Sequence, residues 1–165
     1  MDDTHDGAHA REPQTEDLAR LCRALNAAGA RHLLIGGFAV IARGGTRTTK
    51  DIDFLIDPSP ENVARVKQAL RILEDHAVDE VADEDVRRYS VVRIADEVVV
   101  GLMATACGVD YAAAVQDAES FTLAGVSIPV PSLPTLIRTK KTLRPSDAAD
   151  RLYLEELLKA ERETD

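Results

Sequence analysis

Two aspartates set two residues apart, Asp51 and Asp53, are the side chains of this sequence with the clearest chemistry. They open the segment Asp51-Ile52-Asp53-Phe54-Leu55-Ile56, whose apolar half suits a buried strand. On a strand, residues i and i+2 project from one face, so both carboxylates point the same way and Ile52 points into the core. Carboxylates side by side repel unless a cation sits between them, and hard oxygen donors of this kind suit Mg²⁺ bridging to substrate phosphates. Upstream, the apolar run Leu33 to Ile35 stops at Gly36-Gly37. With no Cβ in the way, the amides of these glycines can come close to a ligand. A helix starting there would aim its free N–H groups and positive dipole end at the same spot, a natural place for phosphate. Each half also has a plain structural reading. The glycines could be a tight strand-to-helix turn, and the aspartates could be the solvent face of an edge strand.

Charge adds a second clue. The chain of 165 residues has a net charge of −9, which argues against a broad surface for duplex nucleic acid. A small basic cleft is still compatible with that balance. Arg43, Arg47 and Lys50 cluster between the glycines and the aspartates, and Arg138, Lys140, Lys141 and Arg144 cluster further on. If the two groups converge they form a positive pocket on an acidic protein; if not, they are two solvated basic faces.

The elements that must position these residues follow from periodicity. Residues 1–13 read as a disordered tail, charged and aperiodic. Thr15 is the expected cap of a helix with Leu18, Leu21, Cys22 and Leu25 on one face, stopped by Gly29. A strand to Ile35, a short helix over Phe38 to Ala42 and a Gly44-Gly45 loop lead to the aspartate strand. Ser59 and Pro60 start a helix with Val63, Val66, Leu70 and Leu73 inward. Residues 74–88 read as irregular. Tyr89 to Ile94 and Val98 to Met103 form a hairpin around Ala95-Asp96-Glu97, followed by a short helix over Asp110 to Asp117. A second hairpin pairs Phe121 to Leu123 with Val126 to Val130. One helix runs from Pro131-Ser132-Leu133-Pro134 to about Lys141. The last starts at Ser146 or Asp147, with Ala149, Leu152, Tyr153, Glu156 and Leu157 at helical spacing. The expectation is one domain over 14–165, α/β (α+β), with a mixed β-sheet flanked by helices and C-terminal helices.

No apolar stretch approaches the roughly 20 residues of a membrane span, and the acidic start is unlike a signal peptide. The reading is a cytoplasmic protein without membrane partners. Cys22 and Cys107 read as free thiols, not as a disulfide or metal pair.

Gly36-Gly37, a spacer, then Asp51-Ile52-Asp53 between apolar residues resembles the signature of the DNA-polymerase-β-like nucleotidyltransferase superfamily. Residues Ser132 to Lys140 and the segment Arg144-Pro145-Ser146-Asp147-Ala148-Ala149-Asp150 are similar to the tail of the minimal nucleotidyltransferase-like proteins related to abortive-infection and type IV toxin–antitoxin systems. Gly108-Val109-Asp110-Tyr111 resembles a further stretch of those proteins. The resemblance implies a nucleotidyltransferase fold and transfer of a nucleoside monophosphate from an NTP such as ATP. It implies Asp51 and Asp53 as catalytic Mg²⁺ ligands. Gly36, Gly37, Arg47, Lys50 and Lys140 would bind the nucleotide, although Arg144 and Asp147 could equally be a structural ion pair. The acceptor is unspecified: a small molecule, tRNA or a protein, with an antitoxin as a possible partner. One position departs from the pattern. The superfamily's third carboxylate falls on Gly101, within Val98 to Met103, so one ligand of a two-metal site is lost. Glu97 shares the strand parity of Gly101 but lies about 13 Å away at strand rise, and Asp110 lies beyond the strand. The alternative reading is therefore a catalytically weakened relative that binds nucleotide or a partner.

Overall fold

The computed structural model describes residues 10–164. Its central sheet has four strands, β1 (His32–Ile35), β2 (Asp51–Ile56), β3 (Val92–Ala95) and β4 (Val99–Met103), in the order β1-β2-β4-β3. β1 and β2 are antiparallel, β2 and β4 parallel, β3 and β4 antiparallel. The mix follows from connection length. β3 and β4 form the expected hairpin, while β2 and β4 are joined by a long excursion of the kind that parallel neighbours need. Two small ladders complete the strands: β5 (Thr105–Ala106) with β6 (Val109–Asp110), and β7 (Glu119–Leu123) with β8 (Val126–Val130). The second is the expected hairpin, and β8 packs beside β1.

Helix α1 (Thr15–Ala27) buries Leu18, Leu21, Cys22 and Leu25, as their spacing predicts. Its cap is Gln14, not Thr15, because the Asp17 carboxylate accepts the Gln14 amide at 2.7 Å. Arg11 fixes this start by pairing with Asp17 at 2.7 Å, and its amide donates to Glu97 O at 3.0 Å. Of the expected tail, residues 1–9 lie outside the described residues; in the remainder Pro13 is buried and Arg11 is held. Helix α2 (Gly36–Ala42) begins two residues before the expected start, since the glycines themselves form its first turn. Helix α3 (Pro60–Leu70) has the expected cap, the Ser59 hydroxyl accepting from the Asn62 amide at 3.3 Å.

Residues 74–88 are more regular than their composition suggests. They hold a 3-10 turn (Ala77–Glu80) and a short helix α4 (Asp85–Arg88). The buried carboxylate of Asp96 accepts the amides of Asp75 and Ala77, each at 2.8 Å, and so ties this segment to the β3–β4 turn. Helix α5 (Tyr111–Ala114) is capped by Asp110 and runs into a 3-10 turn (Val115–Asp117). Helix α6 (Leu133–Arg138) ends short of Lys141, and α7 (Pro145–Thr164) closes the described chain. The stripe expected on α7 is rotated. Leu152 is 65% exposed, whereas Asp147, Asp150 and Leu154 face inward.

One face of the sheet packs Leu34, Ile52, Phe54, Val100 and Leu102 against α1 and α3 in the main core. The other covers Leu33, Ile35 and Leu55 with Val109 and Ala114. That second cover stops at the level of Asp53, and the sheet face opens there. Both cysteines are free. Among the described residues no helix is long and apolar enough to cross a membrane.

Candidate active site

Strand register sets the geometry. Asp53 pairs with Ile35 on one side and Gly101 on the other, and Gly101 pairs with Arg93. Ile35, Asp53, Gly101 and Arg93 thus form one row across the sheet, all on one face. Ile52, between the aspartates, is 0% exposed in the main core, so Asp51 and Asp53 project together from the open face.

The glycines are spaces that Asp53 fills. A Cβ added at Gly36 would meet Asp53 Oδ2, and one added at Gly101 would meet Asp53 Oδ1, both under 3.0 Å. The carboxylate lies between the two residues. Gly36 also has φ +73°, in the left-handed region where a side chain is strained. A Cβ at Gly37 would fall 2.6 Å from Thr49 Oγ1. The acids and the glycine turn therefore stand on the same side of the molecule, in contact.

Around them is a cleft of about 420 Å³. Gly36, Gly37, Asp51 and Asp53 line it together with Arg47, Lys50, Lys140 and Arg144, so members of both basic clusters converge. Arg43 does not join them; it donates to Pro131 O at 2.8 Å and pairs with Glu119 at 2.7 Å. Arg138 and Lys141 also lie outside the lining.

The cations fall into two groups. Lys140 is 5% exposed, and its ammonium is held by Asp150 at 2.9 Å and Asp147 at 3.4 Å. Arg47 donates to Asp150 at 2.5 Å. These charges are compensated within the protein, joining the loop before β2 to the start of α7. This network is why α7 turns its aspartates inward and Leu152 outward. Asp147 accepts from Thr142 Oγ1 at 2.6 Å and from Lys140, so the alternative Arg144–Asp147 ion pair is not formed. Lys50 and Arg144 are exposed at the cleft and have no ion pair among the described residues.

Arg93 is the residue that sequence reading missed. Its Nη1 donates to Asp51 Oδ2 at 2.5 Å. Nothing local marks it, because it reaches Asp51 only through the pairing of β2, β4 and β3. Burial pushes the Asp53 carboxyl up to about 6, and the charge of Asp51 adds to the rise. Neither proposed substitute for the third carboxylate stands here. Glu97 pairs with Arg20 at 2.9 Å and Arg11 at 3.3 Å, and Asp110 caps α5 by accepting the Ala113 amide at 2.8 Å.

These donors bound what metal the site could hold. Two carboxylates on one face, with phosphate oxygens and water completing the shell, fit one Mg²⁺. At Gly101 no side chain is available to ligate a second ion.

Compared by sequence, the chain matches no protein-family model and no curated protein. Compared by structure, it is similar to a Thermotoga maritima protein described as a "putative nucleotidyltransferase". The TM-score is 0.52 at 16% identity, over 94% of each chain. The mixed sheet with its flanking helices and C-terminal helix is thus a nucleotidyltransferase fold.

Proposed function

We propose that this protein transfers a nucleoside monophosphate from an NTP to an acceptor hydroxyl. The observation that supports the reading is the contact between Asp53 and the glycine turn, inside a cleft that also presents Lys50 and Arg144. The triphosphate lies over Gly36 and Gly37, whose amides open α2 without any side-chain cap. Lys50 and Arg144 neutralise its charge, while Arg47 and Lys140 hold the wall behind it. One Mg²⁺ on Asp51 and Asp53, when bound, supplies positive charge to the phosphate oxygens that gather charge during transfer. The acceptor oxygen bonds to the α-phosphorus, the bond to the bridging oxygen of pyrophosphate breaks, and pyrophosphate leaves. The acceptor proton passes to water in the open cleft, because Asp53, as a ligand of the ion, is held deprotonated. Incubation with labelled NTPs, Mg²⁺ and candidate acceptors (tRNA, small polyhydroxylated molecules, protein) tests the reading. Transfer lost in Asp51→Ala and Asp53→Ala is expected. No transfer to any acceptor, with Asp51→Ala matching wild type, removes it.

Gly101 and the Asp51–Arg93 pair favour a second reading, a relative that binds nucleotide or a protein partner and transfers slowly or not at all. Calorimetric titration with ATP and Mg²⁺ beside the transfer assay separates the two, since a side chain at Gly101 would displace Asp53. Saturable binding without transfer supports the weakened relative, and wild-type transfer that Asp53→Ala abolishes rejects it. The finer assignment to the toxin-like, abortive-infection group rests on the segment 144–150. Growth arrest on induced expression, relieved by a co-expressed antitoxin, is its expected result.

A further inference from the structure

The Asp51–Arg93 pair has no role in the reaction as drawn. Arg93 stands on the edge strand β3, Asp51 on β2, with β4 between them. Neighbouring strands lie about 4.8 Å apart, so the arginine reaches over two such spacings to make its 2.5 Å bond. It crosses β4 beside Gly101, its own register partner. A Cβ at that position would meet Asp53 Oδ1, so the row has room for the Asp53 carboxylate and none for a third acid. The site loses a ligand that would call for a divalent ion and gains a fixed cation on the same face. Asp51 and Arg93 also line both the cleft and a neighbouring hollow of about 660 Å³, so their bond lies where the two cavities meet.

We propose that the Arg93 guanidinium is a built-in cation of this site, holding the place beside Asp51 that a second divalent ion would take and binding nucleotide phosphate directly. The phosphate part rests on the nucleotide reading above; the competition with metal at Asp51 does not.

Binding of Mn²⁺ to the full-length protein, followed by the electron paramagnetic resonance of the free ion without nucleotide, tests the competition. Arg93→Gln is expected to bind Mn²⁺ about fivefold more tightly than wild type, the size of a solvent-exposed ion pair. Arg93→Lys, which keeps the charge on a shorter side chain, falls between wild type and Arg93→Gln, and adding Asp51→Asn to Arg93→Gln erases the gain. Equal Mn²⁺ affinity in wild type and Arg93→Gln overturns the proposal. Calorimetric titration with ATP in excess EDTA tests the phosphate part. Wild type binds, and Arg93→Gln binds about fivefold more weakly or worse; equal binding by the two overturns that part. ATP that binds neither protein, with or without Mg²⁺, removes the nucleotide reading, and the Mn²⁺ comparison still decides whether Arg93 holds the cation's place.

Discussion

Asp53 titrates as it does because two glycines give its carboxylate a place among apolar strands, next to a second acid. An acid raised from 3.8 to about 6 makes stability depend on pH in a definite sense. Between these values the folded chain keeps a proton that the unfolded chain has released. Stability therefore falls as pH climbs from about 4 to about 6, and the whole penalty stands above that range. A rise of this size corresponds to about 3 kcal/mol. Asp53→Asn should melt at a higher temperature than wild type at pH 8 and at nearly the same temperature at pH 4, while losing transfer. A gain equal at both pH values would mean that the charge is not its cause. Gly36→Ala should move the other way. It forces a side chain into left-handed backbone and against the Asp53 carboxylate, at a cost of about 1–3 kcal/mol, read from denaturant midpoints. Gly37→Ala meets Thr49 instead, whose hydroxyl donates to Asp51 O at 3.2 Å, so its effect reaches the start of β2.

Among the elements, the join between α7 and the loop before β2 carries the charge network. Lys140 is buried between Asp147 and Asp150, and removing one partner of such a pair is worth about 3–5 kcal/mol. Asp150→Ala is expected to lose about that much in chemical denaturation. Asp147→Asn, which keeps a hydrogen-bonding group for Thr142, should cost less. These elements also show what could be read from the chain. The glycine turn, β2 and the hairpin of β3 with β4 were legible because each follows a local rule: period two, a turn, a chain break. The same rule placed Asp51 and Asp53 on one face. Arg93 was not legible, since its neighbour is set by register between strands far apart in sequence. The inward face of α7 misled apolar spacing, because Asp147 and Asp150 are held inside by cations from elsewhere. The cap at Gln14 shifted for a similar reason, Asp17 being claimed by Arg11.

For the molecule as a whole, the net charge of −9 and a cleft rich in cations pull in opposite directions. A triphosphate should bind through Lys50, Arg144 and Arg93, with affinity falling as salt is added, while duplex DNA should not compete for the protein in a filter-binding assay. ATP should raise the melting temperature by an amount that grows with the logarithm of its concentration above the dissociation constant. Lys50→Ala with Arg144→Ala should remove most of that rise without lowering the melting temperature of the free protein, because neither has an ion pair among the described residues. The bond from Arg47 to Asp150 spans 103 positions of the chain. A protein emerging from the ribosome amino end first has Gly36, Asp51 and Asp53 exposed well before Lys140 and Asp150 exist. During synthesis the cleft thus has its floor before its back wall, and a translation pause ahead of residue 140 would leave a nascent chain with the glycine turn and both acids but without the Lys140–Asp150 wall.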